Sequence, residues 1–291
     1  PLKKYLHYTI STENSGEPIE VPRLRYAWKP YRNQSFIMCW NGQASATLAT
    51  LGFASTAYIA IKGEDQKLWI PLAYFSLMEM LQAATYTVID RCGLPLNQIL
   101  TLLGSLHIAF QPFFINAFSM HFIPNFVYKR ISTWVYGTCF VGTIMLLLLI
   151  YPFEWTGTCS IGHVPFCSEH LCSVSGNWHI AWGAPLNNMK WLYLGYFIPA
   201  FLVPILYGSW RFTLYHILVG PVLASLLTNN INEWPAVWCL MSIGLLLVVI
   251  KTPLRQWLYN PSWLFWRWLE PKPNLVTSDS AVICPAPLES K

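Results

Sequence analysis

Charge is scarce in this sequence: Asp, Glu, Lys and Arg together make up 11% of its residues, against about 25% in a soluble domain. A chain so poor in charge has too little material for a water-facing surface. That excludes an ordinary soluble globular protein and points to lipid as the surrounding solvent. No basic cluster accompanies the formal net charge of +5, so nucleic acid is not an expected partner; the cations gather in tails and turns, where anionic headgroups account for them. Also missing are a Gly-rich phosphate loop, an H-E-x-x-H zinc pair and a nucleophile elbow, as well as the H-x-x-H-H clusters of membrane desaturases and elongases. Lys251 stands at the end of the last apolar stretch rather than midway along it, which leaves a retinal Schiff base without a candidate. Residues 1–40 hold Pro18, Pro22 and Pro30 and no apolar run of signal-peptide length, so the first span is expected to direct insertion.

What is abundant is apolar and aromatic: 54% hydrophobic residues, with fifteen Trp, fifteen Tyr and sixteen Phe. Crossing about 30 Å of hydrocarbon takes roughly 20 residues of helix. Seven stretches approach that length: Ala44–Ile61, Leu68–Ile89, Ile99–Phe122, Ile131–Tyr151, Trp191–Tyr207, Phe212–Asn230 and Trp234–Ile250. Lipid offers backbone amides no partner, so helices are the default. The expected fold is an all-α integral membrane bundle of about seven transmembrane helices with one Cys-rich extramembrane loop. A polar N-terminal tail (1–40) precedes a transmembrane domain (41–251) that includes the long loop 152–190. An interfacial Trp-rich segment (252–270) and a disordered tail (271–291) follow. The N-terminus and the long loop share one face, side A; the alternate loops share side B. With these spans no Trp falls mid-membrane, and two aromatic belts result. Short side-B loops carry Lys62, Lys67, Lys129, Arg130 and Arg211, which favours side B as cytoplasmic and side A as extracytoplasmic.

Ionisable groups inside spans are costly and each needs a reason. At 100° per residue, Glu79, Gln82 and Tyr86 share one face of the second span with Ser76, Ala83 and Asp90. On the third span His107 and Gln111 stand four residues apart, with His121 on the same stripe, while Ser105 and Asn116 point the opposite way. A span polar on two faces is expected at the centre of the bundle. Counting in from the helix ends puts Glu79 and the His107/Gln111 pair at comparable depth, so contact between them is expected. Glu79, Gln82, His107, Gln111 and Tyr86 then form a ligand-binding or proton-relay centre, or else a buried network that only fixes packing. Pro221 is expected to kink the sixth span, and His216 could join His121 near side B.

Eight cysteines occur, three of them within Cys159-Ser-Ile-Gly-His163-Val-Pro-Phe-Cys167-Ser-Glu-His170-Leu-Cys172. An extracytoplasmic loop favours disulfides, with Cys39 and Cys92 as same-side candidates for the odd partner. A zinc site drawing on Cys159, His163, Cys167, His170 and Cys172 is the alternative, and free thiols are a third. Cys139 and Cys239 read as small apolar residues within spans.

The stretches Phe75-Ser-Leu-Met-Glu-Met-Leu-Gln82 and Leu106-His-Ile-Ala-Phe-Gln-Pro-Phe-Phe-Ile-Asn116, with Met38-Cys-Trp-Asn-Gly42 before them, resemble a family of uncharacterised multi-pass membrane proteins. The resemblance covers the first three spans and implies no activity. In helix count alone the chain is similar to the seven-helix hydrolases of the alkaline ceramidase superfamily, but the paired late histidines of that family are missing, since His216 stands alone. The expected function is non-enzymatic: a ligand-binding, conducting or accessory subunit in contact with membrane lipids and other membrane subunits. The alternative is a membrane enzyme acting on a lipid, metal-dependent in one version, with Glu79 as acid/base. No cofactor is identified.

Overall fold

A computed structural model describes residues 40–151 and 153–268. The expected tails before Trp40 and after Trp268, with Cys39 and Cys284, lie outside the described residues.

Helix α1 (Gly42–Ile61) begins where the Asn41 side chain accepts the Ala44 N–H at 2.9 Å, an N-cap that satisfies one orphan donor. It stops at Gly63, whose φ of +75° suits glycine. Asp65 then caps α2 (Gln66–Tyr86) through the Lys67 N–H. The two helices meet along small residues of α1. A Cβ on Gly52 would lie 2.1 Å from Ser76 Oγ, and one on Gly42 would lie 2.8 Å from Tyr86 Cβ. Both contact pairs are ten residues apart on each helix, so the same antiparallel register sets Ala49 opposite Glu79.

Helix α3 (Pro95–Ser119) starts with proline in its first turn, where a missing N–H costs nothing, and runs into a 3-10 turn at Met120–Phe122. It is the hub of the bundle. The Tyr74 hydroxyl of α2 donates to His107 O at 2.6 Å, and Thr143 of α4 (Asn125–Ile150) donates to Ala109 O at 2.8 Å. Asn116 donates to Pro112 O on its own helix and to Pro199 O on α5 (Lys190–Leu206), and accepts from the Tyr207 hydroxyl. The central position expected from its two polar faces is therefore what the hydrogen bonds describe.

Each of the seven apolar stretches is helical. Four are long and apolar enough to cross a membrane: α1, α3 extended to Phe122, α4, and α6 (Trp210–Leu227). Helices α5 and α7 (Trp234–Lys251) are apolar but shorter, and α2, at 21 residues, carries the polar face. Prolines interrupt α5 and α6: π-helical turns occupy Ile198–Leu202 and Leu218–Val222, at Pro199 and Pro221, so the helical ladder is disturbed at Pro221, where a kink is expected. Pro199 has no N–H for the Gly195 carbonyl. That oxygen instead abuts Gly142 of α4, where a Cβ would come within 2.2 Å.

The burial pattern is the reverse of a water-soluble protein's. Glu79, Gln82, Asn97, Thr101 and Asn116 are fully buried, whereas Phe140 and Leu226 are 60% and 78% exposed. Large apolar side chains facing outward along helices of this length suit hydrocarbon rather than water.

The loop between α4 and α5 corrects the all-α expectation. It contains an antiparallel hairpin, β1 (Cys172–Ser175) with β2 (Ile180–Gly183), in which Cys172 pairs with Gly183 and Ser175 with Ile180. Asn97, at the start of α3, donates to Val88 O and Ser173 O and accepts from Ser173 N–H, so the hairpin is bolted to α3. Disulfides Cys92–Cys172 and Cys159–Cys167 complete this cap. They consume the three thiols of the alternative zinc site, and disulfide sulfurs do not serve as zinc ligands. Of the two candidates for the odd partner, Cys92 is the one used.

On side B a short helix α8 (Leu254–Leu258) and the 3-10 turn Leu264–Trp268 fold back under the bundle. Trp263 and Trp266 donate their indole N–H groups to Leu206 O and Tyr207 O, and Asn260 donates to Gly208 O. Trp257, Tyr259, Leu264 and Phe265 remain exposed, as suits a segment lying in a headgroup layer.

Candidate functional site

The α1–α2 register puts the methyl group of Ala49, rather than a polar side chain, opposite Glu79. Both carboxylate oxygens of Glu79 are fully buried and have no hydrogen-bond partner. One turn further on, the amide nitrogen and oxygen of Gln82 are equally buried and equally unpartnered. The Ser45 hydroxyl, which accepts the Trp40 indole N–H at 2.8 Å, lies close enough to interact with Glu79 but outside hydrogen-bond geometry. Cys239 of α7 is within electrostatic range from the other side. Glu79 therefore lies where α1, α2 and α7 come together.

The polar face continues one turn toward side A. The Tyr86 hydroxyl lies 3.1 Å from His179 Nδ1 and 3.4 Å from Trp40 O. His179, in the turn of the cap hairpin, is fully buried. Its Nδ1 accepts the Ile180 N–H at 2.7 Å, so the ring proton of the neutral imidazole sits on Nε2, which has no partner. Burial pushes the His179 pKa down to about 3. Glu79, Gln82, Tyr86 and His179 thus form a file of polar groups leading from the bundle interior to the cap, three of them ending in atoms that no protein group satisfies.

His107 and Gln111 belong to a different surface of α3. His107 Nε2 bonds to Tyr74 O at 2.9 Å, its ring stacks on Tyr74 with centroids 3.9 Å apart, and its Nδ1 is unpartnered. Gln111 accepts from the Tyr196 hydroxyl at 2.8 Å and donates to Cys239 Sγ at 3.0 Å. No hydrogen bond joins Glu79 to either residue. The Tyr74–His107 pairing fixes an α2–α3 register in which Glu79 is level with Leu102, more than a turn from His107. Counting from helix ends missed this offset because it ignores the length of the loop between the helices. Cys239 is the group the two halves have in common, bonded to Gln111 and electrostatically near Glu79.

His121 and His216 are also apart. His216 Nε2 accepts from the Trp238 indole, packed among Phe201 and Phe212. His121 joins a side-B cluster: its Nδ1 lies 3.2 Å from Asp65, its Nε2 accepts from Arg255, and Arg255 reaches Glu64 at 3.0 Å. Among the described residues no group of three His, Cys, Asp or Glu side chains is placed to hold a metal ion.

Two participants were not legible in advance. Glu233, fully buried at the start of α7, accepts the backbone N–H groups of Asn177, Trp178 and His179 at 2.8, 2.8 and 3.0 Å. It clamps the hairpin turn that carries His179, and its acidic position after an Asn-rich stretch was the available signal. His179 itself gave none, since a lone His in a long loop has no periodicity to read.

A family model described as a family of unknown function (DUF5765) matches residues 43–259, from the start of α1 to the segment after α8. No curated protein matches the chain, and no solved structure does.

Proposed function

The chain belongs to DUF5765, a family of unknown function, and since membership brings no activity with it we propose one from the site: a seven-span membrane protein that binds a proton or a small hydrogen-bond-donating ligand at Glu79 and Gln82. One observation carries this reading. A carboxylate and an amide, adjacent on one helix face and fully buried, have no partner in hydrogen-bond geometry, the nearby Ser45 hydroxyl included. Burying either unpartnered costs several kcal/mol, and far more for an ionised carboxylate. A packing network would have spent those groups on each other or on neighbouring carbonyls, as Asn97 and Asn116 do. An unspent pair is a receptor waiting for a donor.

Tyr86 and His179 extend the site toward side A and offer a route for a proton or a small donor. The neutral His179 carries its proton on an unpaired nitrogen, and Tyr86 can either donate or accept. His107 and Gln111, held by Tyr74, Tyr196 and Cys239, position α3 beside the site. Side A is the extracytoplasmic face in this reading: both disulfides lie there, and such bonds persist in oxidising compartments. The role is binding or conduction, alone or within a larger membrane assembly.

Dicyclohexylcarbodiimide, a hydrophobic reagent for protonated carboxyl groups, tests the reading on protein in lipid nanodiscs. Mass spectrometry should find the adduct on the peptide containing Glu79, its yield should fall as pH rises, and Glu79→Gln should abolish it while leaving the thermal midpoint within a few degrees. A Glu79 that stays unmodified from pH 5 to 8 in folded protein would refute an accessible proton-binding site.

A further inference from the structure

A second internal space lies apart from the polar file. It is a partly open cavity of about 370 Å³, within the roughly 300–1,000 Å³ of small-ligand sites. Its walls come from α3, α4, α5, α6 and α7. Leu146 and Leu149 line one side, Trp234 and Trp238 another, and Gln111 lies deepest along α3. The roof is Val164, Pro165 and Phe166, the tip of the loop that the Cys159–Cys167 disulfide closes. That roof is tied down: the Tyr193 hydroxyl donates to Pro165 O at 3.2 Å, and the Phe166 ring stacks on Trp182.

We propose that this cavity holds the apolar tail of a bilayer lipid. No charged residue lines it, so an occupant with a charged group inside would find no counter-charge. Its deepest polar group, the Gln111 amide, is already bonded to Tyr196 and Cys239, which leaves dispersion and hydrophobic contact as the means of recognition. Phe197 at the rim is 53% exposed, and its neighbours Leu194 and Ile198 are exposed too, so the rim faces the hydrocarbon that apolar tails already occupy. Trp234 opens α7, the level at which indoles mark a membrane interface, and Trp238 packs deeper against the mid-helix Gly220 of α6, so the tail points from Trp234 toward Gln111. A methylene fills a little less than the ~30 Å³ of a liquid water molecule, so the space takes about a dozen carbons. A guest of that size restores the contacts that the lining side chains would otherwise lack.

The site shares neither Glu79 nor Gln82 with the proposed function and is tested separately. The full chain is placed in nanodiscs containing a phosphatidylcholine with a diazirine near the end of one acyl chain, then irradiated, digested and sequenced by mass spectrometry. Adducts are expected on Val164–Phe166, on Tyr196 and Phe197, and on Trp238. Val164→Trp, which fills the cavity from a loop rather than a helix, should lower these adducts at least fivefold while labelling at the outward-facing Leu147, Leu148 and Leu202 persists. Ile150→Trp, reaching in from the end of α4, should do the same if the first variant fails to fold. Glu79→Gln should leave the pattern unchanged, whatever it does to carbodiimide labelling. Adducts confined to the outward-facing residues, or cavity adducts in both filled variants as abundant as in the wild type, would overturn the proposal.

Discussion

Removing the carboxylate of Glu233 is the most quantitative test of how the cap is held. It accepts three backbone N–H groups with no side-chain cation beside them in its hydrogen-bond set, so the whole arrangement is one anion in a nest of amides. Of the three donors, Asn177 is exposed, Trp178 is half-buried and His179 is buried. In Glu233→Ala, water can replace the carboxylate at the first two, each losing about 1 kcal/mol net, whereas the His179 N–H is stranded at about 1–3 kcal/mol. The sum is about 3–5 kcal/mol. Glu233→Gln keeps the shape but turns an NH₂ group against a donor, and should cost about 2–3 kcal/mol. At about 2–4 °C per kcal/mol for a chain of this size, the alanine variant should melt roughly 10 °C lower. A thiol-reactive fluorogenic maleimide reads the transition, because Cys139 and Cys239 are free and buried; Cys39 and Cys284 are first replaced by serine. Hydrogen exchange should show faster exchange at residues 177–179 before any change in α3. Gly176→Ala should mimic the loss, since its Cβ would sit 2.3 Å from Glu233 Cδ. A Glu233→Ala midpoint within 2 °C of wild type, with unchanged exchange in the hairpin turn, would refute the clamp.

Gly52→Ala should destabilise by about 2–3 kcal/mol through overpacking against Ser76, and Gly52→Ala with Ser76→Gly should recover most of it; equal midpoints for the single and double variants would contradict the α1–α2 register. His179 makes cap stability pH-dependent. Its folded pKa lies far below the ordinary 6.5, so the unfolded chain binds the extra proton, and the stabilisation is complete above pH 6.5 and lost as pH falls. Between pH 7 and 5 the loss should be about 2 kcal/mol, measured as a falling thermal midpoint that His179→Gln flattens; a midpoint indifferent to pH over that interval, or an unchanged slope in the variant, would show that His179 is not buried neutral. Asn116→Leu removes the group joining Pro112, Pro199 and Tyr207, strands the Tyr207 hydroxyl and should cost about 2–4 kcal/mol, whereas Tyr207→Phe in the same variant should restore part of that; additive losses would argue against a shared network.

How far the sequence spoke depended on the range of the signal. Helices announce themselves by runs of apolar residues, and every stretch picked out that way is helical. The polar face of α2 followed from a fixed 100° step, so Glu79, Gln82 and Tyr86 do share a side. Strands of four residues in a cysteine-rich loop are too short for alternation to show, and the hairpin was missed. Interhelical register is invisible to periodicity: it depends on where a glycine lets Ser76 approach and where a tyrosine reaches a carbonyl. That is why Glu79 and His107 were expected to touch and instead bond to nothing and to Tyr74 O respectively. Disulfide pairing failed to resolve for a similar reason, since Cys39 and Cys92 are equivalent by side and only the fold brings Cys92 to Cys172.

The Cys92–Cys172 bond has a topological effect beyond anchoring the hairpin. Spanning a sequence separation of 80, it closes a covalent ring that contains all of α3 and α4. A single protease cut at the side-B turn between those helices would open the ring without separating the molecule. The nicked protein would migrate as one species until a reductant parted it, so the hub helix stays tethered at its side-A end even when the backbone on the far side is broken.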